Sequence, residues 1–106
     1  MAGPGGALAR SRGIAKYVIS GAAVVTFSDT PAVGIAMPDT AVAAMIVCED
    51  QPIRWRDDGT SPNGTTGLPL YAGSVMDFDG DMQKFRMARG STATGDATVW
   101  VAWRGI

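Results

Sequence analysis

Short apolar segments alternate with clusters of turn-forming residues along most of this sequence. Segments rich in Val, Ile, Phe, Tyr and Trp recur between groups of Gly, Pro, Asp, Asn and Ser, and helical spacing of apolar residues is nowhere sustained. The pattern therefore predicts an all-β protein of about eight short strands. The predicted strands are residues 14–20, 22–28, 40–49 and 53–57, segments around Leu70, Phe78 and Phe85, and residues 97–104, with a further short one at 33–37.

Two of these segments have differently patterned faces. Residues 40–49 are apolar on both faces, which is typical of a strand covered on both sides. In the next segment, Ile53 and Trp55 alternate with Arg54 and Arg56. One face of that strand can enter a core while two guanidinium groups point outward. The sequence thus predicts one fully buried strand followed by a half-buried one.

The C-terminal part of the chain contains the strongest hairpin pattern. Asp79 and Gly80, a favoured tight-turn pair, separate a segment ending at Phe78 from one that carries Phe85 and Met87 on one face. This pattern predicts a hairpin of two adjacent strands.

The last predicted strand, residues 97–104, is also apolar on both faces. Val99, Val101 and Trp103 lie on one face, and Trp100 is on the other. We expect this strand to be central in its sheet or buried between subunits. Together the strands predict an antiparallel β-sandwich or a jelly-roll-like barrel.

Residues 1–13 have a different character from the rest. They contain four Gly, one Pro, Arg10 and Arg12, and no periodic apolar pattern, so they predict an extended arm ahead of a single β-sandwich domain at 14–106. With Lys16, the chain has three basic and no acidic residues through Ser20, whereas the remainder has an excess of acidic ones. Such a segment is either a solvated terminus or an arm that docks on an acidic neighbouring subunit, and we adopt docking as the hypothesis.

Composition excludes several classes of function. The 106 residues suffice for one domain, and the net charge of -1 argues against a strongly basic nucleic-acid binder. The chain has no His, the commonest general base and metal ligand, and its single Cys48 cannot form an intrachain disulfide. No apolar run is long enough to span a bilayer. We therefore expect no catalytic, cofactor-binding or metal-binding residues, and synthesis in the cytoplasm.

Carboxylates and arginines leave three alternatives open. Asp77, Asp79 and Asp81 resemble the start of a calcium loop, but the Gly and Glu that such a loop requires further on are absent, so a turn is the better interpretation. The pairs Glu49–Asp50 and Asp57–Asp58 could serve acid–base chemistry, although carboxylates at strand ends more often accept backbone N–H bonds.

The third alternative is a basic face for single-stranded nucleic acid. It would combine Arg54 and Arg56 with Lys84 and Arg86, but the alternation places Trp55 on the opposite face, where it is predicted to be core. The arginines are then expected to pair with Asp residues or with a partner chain. The candidate interface residues are Arg10, Arg12, Lys16, Arg54 and Arg56.

The C-terminal half of the chain resembles a family of known proteins. The resemblance is carried by residues 53–62 (IRWRDDGTSP), by Gly67-Leu68, by Gly73, and by the Asp79-Gly80-Asp81 turn before Phe85. In these features the chain resembles small structural proteins encoded in the virion gene clusters of tailed bacteriophages. The resemblance implies a virion component with no catalytic residues and no cofactor.

The expected function is that of a non-enzymatic capsid decoration or cement protein in the virion. Its partners would be the major capsid protein or other virion proteins and its own copies in a homo-oligomer, without direct nucleic-acid or membrane binding. A neck or tail component at the head–tail junction is the alternative within the same resemblance. A second alternative, from another class, is a small carbohydrate-binding β domain that uses Trp55, Trp100 or Trp103 as a sugar platform.

Overall fold

A computed structural model describes residues 10–105, in which two antiparallel β-sheets pack against each other. The strands are β1 (Arg10–Ile19), β2 (Val24–Thr26), β3 (Val33–Gly34), β4 (Ala41–Cys48), β5 (Ile53–Arg56), β6 (Leu68–Leu70), β7 (Val75–Phe78), β8 (Arg86–Arg89) and β9 (Ala97–Gly105). One sheet has the order β3-β1-β9-β4-β7, and the other has the order β2-β8-β5-β6. The predicted all-β fold is confirmed, and the sandwich rather than the barrel describes it.

The last strand lies at the centre of the five-stranded sheet. β9 pairs with β1 along the length of both strands, and on its other side it pairs with β4. Its alternate residues Val99, Val101 and Trp103 are fully buried against the second sheet. The apolar run 97–104 therefore does form a central strand, as its pattern predicts.

Aromatic rings from both sheets meet in the core. Phe27 stacks on Phe85 with ring centroids 4.4 Å apart, and it meets Trp103 edge-on at 4.5 Å. Trp55 stacks on the same Phe85 at 5.4 Å but remains partly exposed. Burying each such ring stabilises the fold by roughly 1.5–3 kcal/mol, and favourable ring geometry adds to this. Trp55, which the sequence pattern predicts to be a core residue, is therefore only partly buried.

The predicted hairpin at Asp79 and Gly80 is wrong. β7 pairs with β4 in one sheet, whereas β8 pairs with β2 and β5 in the other, so the chain crosses between the sheets here. A short 3₁₀ helix, Met82–Lys84, makes the crossing, and the Asp81 side chain caps it by accepting a hydrogen bond from the Gln83 backbone N–H. The crossing lets Phe78 and Phe85 enter the core from opposite sides, which a hairpin would prevent.

The prediction that residues 40–49 are covered on both sides is also wrong. Ala44, Ile46 and Cys48 are buried, but Met45 on the opposite face is 36% exposed. The register shifts between Ala41 and Ala43, and the side chain of Val42 at this bulge is exposed, although regular alternation would place it on the same face as Ala44. Within residues 10–105, no segment packs over the outer side of β4 at Met45.

The third strand is shorter than the sequence pattern predicts. β3 ends at Gly34, whereas the predicted strand extends to Met37. Gly34 has a φ of 95°, and a Cβ at this position would collide with the carbonyl oxygen of Ile14. Only glycine permits this close approach of β3 to β1.

The N-terminal strand begins earlier than the sequence pattern indicates. β1 starts at Arg10, and Gly13 pairs with Trp103 after a register shift. The last four residues of the predicted arm thus contribute backbone to the five-stranded sheet. Residues 1–9 of that arm lie outside the described residues.

Candidate interaction surfaces

The outer face of the five-stranded sheet presents apolar side chains to solvent. Residues that pair directly across strands share a face, so the register defines rows across this side of the sheet, of which two neighbouring rows extend over four or five strands. The first row contains Val33, Lys16, Trp100, Val47 and Val75, and the second contains Ile14, Ala102, Met45 and Asp77. We call these nine residues the apolar face.

Exposure on the apolar face is large for a sheet surface. Ile14 is 56% and Val75 57% exposed, and Val33 is also exposed. Antiparallel sheets with one solvated face normally alternate apolar and polar residues, but here the outward positions of three adjacent strands are mostly apolar. Contiguous exposed apolar surface of this kind marks a site of association.

Charged groups hold the central tryptophan of this face. The ammonium group of Lys16 lies 5.8 Å from the centre of the Trp100 ring, and the indole N–H of Trp100 donates to Glu49 at 2.8 Å. At the other end of the face, Arg104 pairs with Asp77 at 2.5 Å. The apolar residues are therefore framed by a cation on β1 and by carboxylates at β4 and β7.

The outer face of the four-stranded sheet is basic. Arg86 pairs across strands with Arg56, and Arg54 lies on the same side beside them, where the alternation of β5 places it. Arg54 donates to the carbonyl oxygen of Gly67 at 2.9 Å, and Arg86 donates to that of Gln83 at 3.3 Å. These three arginines are called the basic face below.

Arg56 forms an ion pair with Asp58. Two guanidinium nitrogens lie 3.1 and 2.5 Å from the carboxylate oxygens, and Thr60 donates to the same carboxylate from its hydroxyl and its backbone N–H. The hydrogen bonds from Arg56 and Thr60 hold the pKa of Asp58 well below its usual range. Asp58 therefore remains ionised and is not suited to donate a proton in catalysis.

Three of the other carboxylates singled out in the sequence are engaged in turns or an ion pair. Asp50 accepts the Thr98 backbone N–H at 2.9 Å, and Asp81 caps the 3₁₀ helix. Asp77 is bound to Arg104, so two of the three carboxylates of the calcium-like segment already have partners. Between residues 10 and 105, no three Cys, Asp or Glu side chains cluster as a metal site would require.

Cys48 is fully buried, as its place in the strand pattern predicts. Its thiol donates to the carbonyl oxygen of Gln51, 2.9 Å away. Burial, together with the nearby charge of Asp50, raises the pKa of Cys48 to about 11. The thiol is thus protonated and shielded at neutral pH, which makes it a poor nucleophile.

The three tryptophans differ in what they can bind. Trp103 is fully buried and donates its indole N–H to Ile35, so it cannot serve as a sugar platform. Trp100 carries Lys16 close to its ring. Trp55 lines an open cleft of about 300 Å³ together with Arg56, Asp57, Asp58, Gly67 and Leu68.

The five candidate interface residues do not form one surface. Lys16 lies on the apolar face, whereas Arg54 and Arg56 lie on the opposite side of the sandwich. The backbones of Arg10 and Arg12 belong to β1, and their side chains lie outside the described residues. The sequence pattern does not identify the apolar face as a surface. The apolar residues on both sides of 40–49 and 97–104 are the feature from which it could have been predicted.

No similarity to known proteins adds to this description. A scan against protein-family models, a search of curated proteins and a search of solved structures each returned no match. Within residues 10–105, the structure contains no helix long and apolar enough to cross a membrane.

Proposed function

We propose that this protein is a non-enzymatic structural component of a tailed-phage virion, a decoration or cement protein that binds the capsid lattice and copies of itself. The observation that carries the proposal is the apolar face. Each Å² of apolar surface removed from water contributes about 25 cal/mol, so residues such as Ile14 and Val75 supply a driving force for association that the isolated chain leaves unused.

The opposite character of the two outer surfaces supports the same role. The apolar face and the basic face lie on different sheets of one sandwich, so the chain can contact two different neighbours at once. A protein that reinforces a shell needs such two-sided contact, since it must touch both the shell and adjacent copies. The sequence resemblance to virion proteins of tailed phages points to the same kind of assembly.

A position at the neck or tail is the alternative within this proposal. Both locations use repeated contacts between identical chains, and they differ in symmetry. A decoration protein follows the symmetry of the capsid lattice, whereas a neck component forms one ring on a single axis. Cryo-electron microscopy of the particle that contains the protein distinguishes the two.

The proposal is tested on virions of the phage or prophage that encodes this chain. Mass spectrometry of purified particles should find the protein in many copies relative to a single-copy portal vertex. Purified protein added to particles that lack it should sediment with them, and Met45→Asp on the apolar face should reduce this binding more than Tyr71→Asp outside the apolar face. Absence of the protein from purified particles would contradict the proposal.

A small carbohydrate-binding domain remains a second candidate because of the Trp55 cleft. A partly exposed indole next to Asp57, Asp58 and Arg56 has the combination of apolar ring and polar groups that sugar recognition uses. Titration with a panel of oligosaccharides, followed by tryptophan fluorescence, tests it. Binding that disappears in Trp55→Phe but persists in Trp100→Phe would favour this candidate, and an unchanged spectrum with every sugar would remove it.

A further inference from the structure

We infer that the apolar face joins two copies of this chain, sheet against sheet, about a two-fold axis that runs along β9. The inference rests on the self-association contained in the proposed function. It adds to that function the surface through which two copies bind, the symmetry of the dimer and the residue pairs in contact. Three features support it: the edge strands are short, the opposite face is positively charged, and the apolar face is complementary to its own copy.

The edges of both sheets are poor sites for association. The outermost strands β3 and β7 have two and four residues, and β2 and β6 have three each. β6 also contains Pro69, which has no N–H to donate. A second chain could form only a few backbone hydrogen bonds at any of these edges, so association through a face is favoured.

The basic face is unsuited to self-association. Arg56 is already paired with Asp58, but two copies that met through this face would bring Arg54 and Arg86 of each chain close to those of the other. Like charges brought together in this way oppose binding. Of the two sheet surfaces, only the apolar face can meet its own copy without this repulsion.

The apolar face is complementary to itself when it is turned about β9. β9 has β1 and then β3 on one side, and β4 and then β7 on the other. The rotation therefore lays β1 across the second copy's β4 and β3 across its β7. Because positions along the strands are kept, Ile14 faces Met45, Val33 faces Val75, and the two Trp100 rings meet at the axis. A buried aromatic pair at the centre is typical of the residues that dominate interface energies.

The charges of the face fit this arrangement. Lys16 forms no ion pair within residues 10–105 and lies across from Val47 of the second copy. Glu49 follows β4 two residues further on, about 7 Å along the strand, which a lysine side chain can span. The two-fold axis forms this Lys16–Glu49 pair twice, once for each copy.

The size of the face is sufficient for a specific dimer. The five strands have ten, nine, eight, four and two residues. At about 3.4 Å per residue and about 4.8 Å between strands, they cover a flat area of roughly 540 Å² per copy. Two copies together would bury roughly 1,080 Å², which is above the roughly 1,000 Å² expected of a specific interface.

The test is the mass of the full chain in solution, measured by sedimentation equilibrium. The wild type should have twice the 11.0 kDa of one chain. Ile14→Asp, a change at an exposed position of the apolar face, should raise the dissociation constant at least tenfold. Tyr71→Asp is the matched control, because Tyr71 is 65% exposed and lies outside the apolar face, and it should leave the dimer intact. Near-ultraviolet circular dichroism checks that each variant is folded.

Charge reversal tests the arrangement itself. Lys16→Glu places like charges together across the proposed interface and should weaken the dimer, and adding Glu49→Lys should recover most of the loss. Deletion of residues 2–9 should leave the dimer intact. A folded Ile14→Asp that remains dimeric, a double reversal weaker than the single one, or a dimer that needs residues 2–9 would each overturn the inference.

Failure of the dimer is distinguishable from failure of the virion role. A wild type that is monomeric at all concentrations but sediments with particles would overturn the dimer and leave the virion role standing. The converse result, a dimer that never binds particles, would support the interface and contradict the virion role.

Discussion

The hydroxyl of Tyr17 donates a hydrogen bond to the carbonyl oxygen of Phe27 at 2.7 Å, between two buried residues. Tyr17 belongs to β1 of the five-stranded sheet, and Phe27 directly follows β2 of the four-stranded sheet. This bond therefore ties the two sheets together at the end of the sandwich where Phe27 also stacks on Phe85. Removing this bond should therefore show how much it contributes to holding the two sheets together.

Tyr17→Phe should reduce the free energy of unfolding by about 1 kcal/mol. The loss is limited because the Phe27 carbonyl oxygen also accepts the Met37 backbone N–H at 3.1 Å and is not left unpaired. Urea denaturation measures the change. The exposed Tyr71→Phe is the control and should stay within about 0.5 kcal/mol of the wild type. Equal effects of the two changes would show that the bond does not contribute.

Stability should fall as the pH rises from about 9 towards 12. Burial raises the pKa of Tyr17 to about 12, with the charge of Asp29 adding to the shift, and that of Cys48 to about 11. Above pH 9 the unfolded chain releases these protons while the folded chain retains them, so each pH step favours unfolding. Urea midpoints across this range measure the slope. In Cys48→Ala the slope between pH 9 and 11 should become shallower, and an unchanged slope would contradict the assignment.

Cys48 should resist alkylation in the native protein. Its buried, protonated thiol must be exposed before it can react, so modification by iodoacetamide at pH 8 should follow the opening of the fold. Mass spectrometry of the native and urea-unfolded protein gives the two rates. Rapid modification without denaturant would show that the strand end at Cys48 is open.

Trp103→Ala should be more damaging than Trp55→Ala. Trp103 is fully buried and meets Phe27 edge-on, so its truncation should cost about 3–5 kcal/mol and unfold most of the protein at 37 °C. Trp55 has its cleft side open to solvent, so truncation removes less buried contact. Thermal unfolding of both variants measures the difference. The reverse order would show that the Trp55 end of the core dominates stability.

The sequence pattern located the strands better than it located their neighbours. Alternation in residues 53–57 and 97–104 predicts the inward faces because the period of a strand is a local property. The pairing of β7 with β4 instead of β8 depends on how Phe78 and Phe85 pack in the core. A local sequence pattern does not determine such packing. Likewise, a two-sided apolar strand does not reveal whether its second face is covered by the same chain or by another one.

The central strand of the five-stranded sheet, β9, follows all of its neighbours in the sequence. β1 and β4 are synthesised early, but the strand that lies between them, β9, consists of residues 97–105 and is the last of the nine described strands to be synthesised. Until those residues leave the ribosome, both strands lack their main neighbour and the inner face of the sheet cannot close. A nascent chain halted before Ala97 is therefore an aggregation hazard, and folding of this sheet must wait until β9 has been synthesised.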